Sequence, residues 1–276
     1  MGLRINTNVA ALNAQRTLSN TTGAQQNSLE RLSSGSRINK AGDDAAGLAI
    51  SENLRAQIRG LRQAKRNASD GISLVQVTEG GLNEISNILV RLRELSVQAA
   101  SDTIGDTERG FTDREFQSLK QELQRIAENT NFNGTPLLIG REENIDIQVG
   151  THNSTNDRLT FNTKFADARL AAIGMTAEKV TDKLSAQESL AKIDFGITHV
   201  NEVRSTLGAM QNRLQSTVNS LSISDENLSA ANSRIRDTDL AAESSELMKQ
   251  NILSQAGISV LSQANSSQQL ALKLLS

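Results

Sequence analysis

The feature that most limits how this chain can fold is a heptad pattern that continues without a slip from Leu190 to Ile235. Alternating steps of three and four residues place an aliphatic side chain at every seventh position: Ile193, Val200, Leu207, Leu214, Leu221, Leu228 and Ile235. The alternate seam positions are mixed and include polar residues such as Arg204, Gln211, Asp225 and Asn232. Such a repeat is typical of a helix packed on other helices, and polar seam residues fix the register. The pattern predicts a long helix over about 186–235.

A second long helix is predicted over about 44–99. Apolar residues recur there on a similar spacing, and the chain of 276 residues contains only one Pro, the residue that most often ends helices. At the usual rise, a helix of this length would extend about 84 Å, which is typical of a coiled-coil rod. Gly80-Gly81 shifts the phase of the seam, as a local bend would.

Between the two long helices, the pattern changes twice. Apolar residues at helical spacing predict a shorter helix over 111–129, which ends in the turn-rich segment 129–136. Alternation of apolar and polar residues then predicts a β-hairpin over about 144–162. Residues 162–184 carry no clear pattern. The fold class predicted is mainly α, a long antiparallel coiled coil or helical bundle with a small β-hairpin region.

The two ends of the chain are weaker helices, and the layout is nearly palindromic. We expect terminal helices within residues 1–42 and 236–276 and a rod over residues 43–235. Isolated helices are marginal in water, so the end helices are predicted to become ordered on association. The residues expected to make these assembly contacts are Ile5, Val9, Leu12, Ile258, Leu261, Leu272 and Leu275.

Composition excludes several kinds of chemistry. The chain has no Cys and only two His, and its net charge is −2, which disfavours thiol catalysis, a metal centre and nucleic acid as a partner. No apolar run is long enough to predict insertion into a membrane. Asp43-Asp44 is best interpreted as a helix N-cap, and no catalytic motif is present. We therefore expect a protein that is not an enzyme and has no cofactor.

Several separated motifs, in order, resemble those of bacterial flagellin, and the resemblance covers essentially the whole chain. The N-terminal signature extends from Arg31 to Ile50. The other matching segments are Lys65–Ala68, Asp70-Gly71, Asn131–Gly134, Ser233–Asp237, Gln255–Gly257 and Gln263–Asn265. The family implies a self-assembling filament subunit for motility, with residues 1–42 and 236–276 in an inner layer and residues 43–235 in an outer layer. About 45 residues separate Pro136 from the last long helix, so outer domains are expected to be missing. Gln268 replaces a Pro of many members, so the last helix can continue to Leu275.

The resemblance also implies location and partners. The chain is expected to be exported through the flagellar secretion apparatus to an extracellular filament, and to meet an export chaperone, cap and junction proteins. Arg91, Leu95 and Glu115 match residues with which some flagellins contact a host innate-immune receptor, and the same patch can contact a neighbouring subunit. The alternatives are a hook–filament junction protein, which shares the terminal helices, and an intracellular coiled-coil scaffold.

Overall fold

The computed structural model describes residues 7–142 and 144–273, with side-chain detail as far as Ser267. These residues are mainly α-helical, as predicted. The five helices are α1 (Val9–Ser34), α2 (Ala45–Ala99), α3 (Asp106–Asn129), α4 (Lys183–Arg236) and α5 (Leu240–Lys273). Four short strands lie between α3 and α4: β1 (Asn131–Phe132), β2 (Thr135–Pro136), β3 (Ile145–Gln148) and β4 (Arg158–Phe161).

The strands form two antiparallel pairs. In the pair β3–β4, Ile145 lies opposite Phe161 and Gln148 opposite Arg158, within the segment predicted as a hairpin. The pair β1–β2 was expected only as a turn. Asn133 and Gly134 connect its strands with φ values of 49° and 79°, a conformation that Asn and Gly adopt most readily.

The chain forms two compact units. Unit 1 comprises residues 1–56 and 227–276, and unit 2 comprises residues 57–226. Unit 2 contains most of the apolar core, which α2, α3, α4, the strands and the irregular segment after β4 build together. The predicted seam of α4 faces this core, since Ile193, Val200, Leu207, Leu214 and Leu221 are all buried. Leu228 and Ile235 belong to unit 1 and are half-buried.

The Gly80-Gly81 pair does not interrupt α2, which is a single helix from Ala45 to Ala99. Gly81 is instead a site of close packing. A Cβ added there would lie 2.6 Å from Thr130 Oγ1 and 3.0 Å from a methyl of Leu138. The absence of a side chain at Gly81 therefore lets the segment after α3 pack directly on α2.

Candidate assembly surface

The first candidate surface is built on α1 and α5, which pair antiparallel within unit 1. Each helix turns a stripe of half-buried or buried residues toward the other at alternating steps of three and four. The stripe on α1 consists of Ala11, Ala14, Leu18, Thr21, Gln25, Ser28 and Leu32. The stripe on α5 consists of Glu243, Leu247, Gln250, Ser254, Gly257, Leu261 and Ala264. Small and polar side chains thus make up most of this pairing.

Polar contacts fix the register of the pair. Asn8 Nδ2 donates to the Ala264 carbonyl at 3.0 Å, and Gln25 Nε2 donates to Asn251 Oδ1 at 2.6 Å. Arg31 lies 3.7 Å from Glu243 near the opposite end. The buried residues of α1 are Thr21 and Ser28, both polar, so little apolar surface is removed from water where the two helices meet.

The larger apolar side chains of the pair lie off these stripes. We call them the terminal apolar surface; their exposed fractions range from 46% for Leu253 to 69% for Met248. They are Val9, Leu12, Leu29, Leu240, Met248, Ile252, Leu253, Ile258 and Val260. Apolar surface on this scale usually marks a site of association. Fully burying one such side chain stabilises by about 1.5–3 kcal/mol.

Three of the seven residues predicted to make assembly contacts lie on this surface: Val9, Leu12 and Ile258 are each 56–57% exposed. Leu261 lies on the stripe that α5 turns toward α1 and is half-buried. Ile5 and Leu275 lie outside the described residues, as does the side chain of Leu272.

Sequence analysis missed most of the terminal apolar surface. The apolar residues Val9, Leu12, Leu18, Leu29 and Leu32 of α1 do not form one stripe in the structure. Leu18 and Leu32 pack toward α5, whereas the other three are exposed. The sequence does contain a pattern that could have predicted the stripe facing α5. Alanine, serine and threonine residues recur on α1 at heptad spacing, and together they form a second, less apolar stripe. The large residues of α5, such as Met248 and Ile252, are similarly out of phase with its stripe.

The second candidate surface is a charged patch on α2 and α3. The Arg91 guanidinium bonds Glu94 at 2.9 Å and Glu115 at 2.8 Å. All three side chains are about half exposed. Ion pairs of this exposure add little stability. The three side chains therefore matter as a surface feature, one cation between two anions that face solvent.

Leu95 differs from the sequence expectation for this patch. Its side chain is 2% exposed and belongs to the core of unit 2, as does Leu92. The segment around Arg91 was expected to be exposed as a whole. The structure instead buries its leucines, so Arg91 and Glu115 form the accessible part.

The two connections that join the terminal helices to the long helices contact each other within unit 1. Ser36 forms an isolated antiparallel bridge with Asp237. The Arg37 guanidinium donates to the Ile235 carbonyl at 2.8 Å, and the Thr238 amide donates to the Gly35 carbonyl at 3.0 Å. The breaks before α2 and before α5 are therefore hydrogen-bonded to one another.

The two aspartates before α2 have different roles. Asp44 caps the helix, because its carboxylate accepts the Gly47 amide at 2.8 Å. The Asp43 carboxylate accepts the amides of Lys40 and Asn39 at 2.9 and 3.0 Å. These two bonds hold the pKa of Asp43 below its ordinary value.

Among the described residues, no helix combines the length and apolar character needed to cross a membrane. The chain matches the family described as "Bacterial flagellin N-terminal helical region" over residues 5–143 and "Bacterial flagellin C-terminal helical region" over 190–275. It is 45% identical to a flagellin of Halalkalibacterium halodurans, covering 98% of this chain and 99% of that one. It is 41% identical to the flagellar filament 33 kDa core protein of Treponema phagedenis, with the same coverage.

Two solved structures resemble this fold. The crystal structure of Bacillus cereus flagellin covers 56% of this chain and 88% of its own, with a TM-score of 0.51 and 32% identity. A putative flagellar hook-associated protein from Vibrio parahaemolyticus covers 71% of this chain and all of its own, with a TM-score of 0.58. The identity in the second case is 15%, so that likeness concerns the fold alone.

Proposed function

The chain belongs to the bacterial flagellin family, and we propose that its terminal apolar surface is where copies join one another. The protein is a structural subunit of the extracellular flagellar filament and not an enzyme. It is a short form without outer domains, since only residues 130–182 lie between α3 and α4. Neither a hook–filament junction role nor a scaffold role is favoured.

The exposure of large apolar residues on α1 and α5 carries this proposal. The stripes between the two helices contain few leucines, so the pair gains little free energy from its own contact. Contact with other copies would bury residues such as Met248 and Ile252, and this burial would supply the stabilising free energy that the contact between α1 and α5 lacks. The terminal helices would therefore become stable when the subunit joins the polymer. In this arrangement residues 1–42 and 236–276 form the inner layer of the filament, and residues 43–235 form the outer layer.

Other partners are proposed on chemical grounds. A chain that leaves the cell through the flagellar secretion apparatus would need its α5 apolar residues covered beforehand, which an export chaperone can do. The cap and junction proteins would contact the same terminal surface at the filament ends. Arg91 and Glu115 would contact a neighbouring subunit or a host innate-immune receptor. Leu95 would serve there by anchoring α2 beneath Arg91.

The proposal is tested by making the terminal surface polar without disturbing the pairing of α1 and α5. The double variant Met248→Gln, Ile252→Gln changes two side chains that are 69% and 67% exposed. We expect the monomer to keep the parental helix content and thermal transition, as measured by circular dichroism. Growth from filament seeds, followed by light scattering, should be lost.

The matched control changes Ser245 and Ser259, which are also exposed on α5, to Gln. This control should grow from seeds like the parent. Parental growth by the Met248→Gln, Ile252→Gln variant would overturn the proposal. A monomer that melts at a lower temperature would show that these residues pack within their own subunit.

A further inference from the structure

A groove of about 450 Å³ lies on unit 2, between α4 and the chain around the end of β4. Its apolar lining includes Phe161, Val203 and Met210, which are 3–8% exposed, and Phe165, which is 56% exposed. Glu202 and Arg213 lie on the same face of α4 and also line the groove. The groove is thus apolar in the middle, with one acidic and one basic side chain along it.

A protruding aromatic side chain lies elsewhere on unit 2. Phe111, near the start of α3, is 60% exposed. The Arg114 guanidinium lies 5.6 Å from the centre of its ring, a stacking distance that holds the ring in place. Three of the six phenylalanines, Phe111, Phe165 and Phe195, are each 56–60% exposed. Burying Phe111 in an interface would remove roughly 150–250 Å² of surface from water.

Charged side chains flank both the groove and Phe111, and each site carries one acidic and one basic residue. Glu108 and Arg114 lie on either side of Phe111 along α3, as Glu202 and Arg213 lie along the groove. Within the described residues, none of these four side chains has an ion-pair partner, although Arg91, Arg93 and Arg125 are all paired. The groove and the protrusion therefore carry complementary charges that the subunit itself does not satisfy.

We propose that Phe111 of one copy inserts into the groove of a neighbouring copy, with Arg114 beside Glu202 and Glu108 beside Arg213. This proposal rests on the assignment of the chain as a filament subunit. A helical polymer requires heterologous contacts, in which two different patches of the same chain meet. Unit 2 provides such a pair. The charge order sets α3 of one copy antiparallel to α4 of the next.

The first test exchanges the charges of Arg114 and Glu202. Arg114→Glu alone and Glu202→Arg alone should each slow seeded growth, because each places like charges together in the contact. The double variant Arg114→Glu, Glu202→Arg should restore growth, since every copy then carries the reversed pair. If the double variant grows no better than the single variants, the pairing is wrong.

The second test measures the aromatic contact. Phe111→Ala should raise the critical concentration for seeded growth at least about tenfold, as expected for a buried aromatic anchor. The matched control is Leu184→Ala, which removes a side chain that is 68% exposed at the start of α4 and should leave the critical concentration unchanged. If Phe165→Ala impairs growth and Phe111→Ala does not, another segment occupies the groove and the proposal is overturned.

The absence of cysteine allows a direct test by disulfide cross-linking. Thr107→Cys lies next to Glu108, and Thr217→Cys lies one turn after Arg213 on the same face of α4. A filament grown from a mixture of the two single variants should give a cross-linked dimer containing one copy of each. Filaments of either variant alone, or of Thr217→Cys mixed with Ser69→Cys, should give none. If the mixed filament forms without that dimer, the groove proposal fails, whereas a parent chain that never polymerises refutes the filament assignment itself.

Discussion

Leu214 illustrates how one residue of the heptad seam stabilises unit 2. Its side chain is fully buried in the core, and one of its methyl groups would lie 3.4 Å from a Cβ added at Gly71. Leu214→Ala should reduce the free energy of unfolding by about 2–5 kcal/mol, because it removes buried methyl groups and leaves a cavity. Urea unfolding of the monomer, followed by circular dichroism, measures this loss.

The control for Leu214→Ala is Leu184→Ala, the same substitution at an exposed position of the same helix. It should change the free energy of unfolding by less than about 0.5 kcal/mol. Similar effects of the two substitutions would mean that the α4 seam does not face the core.

At the scale of residues, Leu95 shows what a motif match leaves open. Leu89, Leu92 and Leu95 lie in α2, and all three are buried. The resemblance assigned Leu95 to an exposed contact, because motif matching identifies residue types without reporting their exposure. The resemblance placed Arg91 and Glu115 in one patch, but their ion pair was not predicted, since it depends on how α2 packs on α3.

At the scale of elements, the long helices were predictable and the segment between β4 and α4 was not. Residues 170–180 form turns but no regular helix, and polar side chains on one stripe of α3 hold them. Asp113 accepts the Val180 amide at 2.9 Å, and Gln124 accepts the Leu170 amide at 3.1 Å. Such order comes from a distant helix, so no local pattern in the segment could have indicated it. The start of α3 at Asp106 was also missed, because its first turn carries polar residues.

Lys120 is the cationic member of that stripe and gives this element a pH dependence. The residue is 4% exposed, and its ammonium donates to the carbonyls of Glu178 at 2.8 Å and Thr176 at 3.2 Å. Burial lowers its pKa below the ordinary 10.5. Between the lowered pKa and 10.5, the unfolded chain binds more protons than the folded one. The contribution of Lys120 to stability should therefore increase as pH rises through this window.

Lys192 provides a control of opposite sign, because its ammonium bonds the Glu178 carboxylate and its pKa is raised. Its contribution is fully present below 10.5 and should be lost as pH rises through the higher, folded-state pKa. Urea unfolding at several pH values from 8 to 11 should show the advantage of the parent over Lys120→Met growing with pH. The advantage over Lys192→Met should shrink. The same trend for both variants would contradict this account of Lys120.

At the scale of the whole molecule, the sequence predicted that the two ends would pair but not how. The α1 and α5 stripes contain so many small and polar residues that the exposed leucines and isoleucines dominate any apolar pattern. The boundaries between the two units also do not coincide with helix ends, since the long helices α2 and α4 each contribute residues to both units. Such a division depends on contacts between distant segments, which the local pattern does not specify.

The contrast between the two units leads to a prediction about proteolysis. Unit 2 has a continuous apolar core, whereas the buried residues of α1 are polar. Segments with few buried apolar contacts open with little free energy and are cleaved first. Trypsin should therefore cut a confirmed monomer early at exposed sites such as Arg16 and Lys249. A resistant fragment from about residue 41 to about residue 236 should remain.

In the filament the same sites should be protected, because neighbouring copies would cover the terminal helices. Mass spectrometry of timed digests, with monomer and filament at equal subunit concentration, measures both rates of cleavage. Cleavage of unit 2 in the monomer serves as the internal control, since its core should resist equally in both states. Ends that resist trypsin in the monomer would mean that α1 and α5 are stable as a pair without assembly. Ends that are cut equally fast in the filament would mean that the terminal apolar surface stays exposed there, and that the copies join through unit 2 alone.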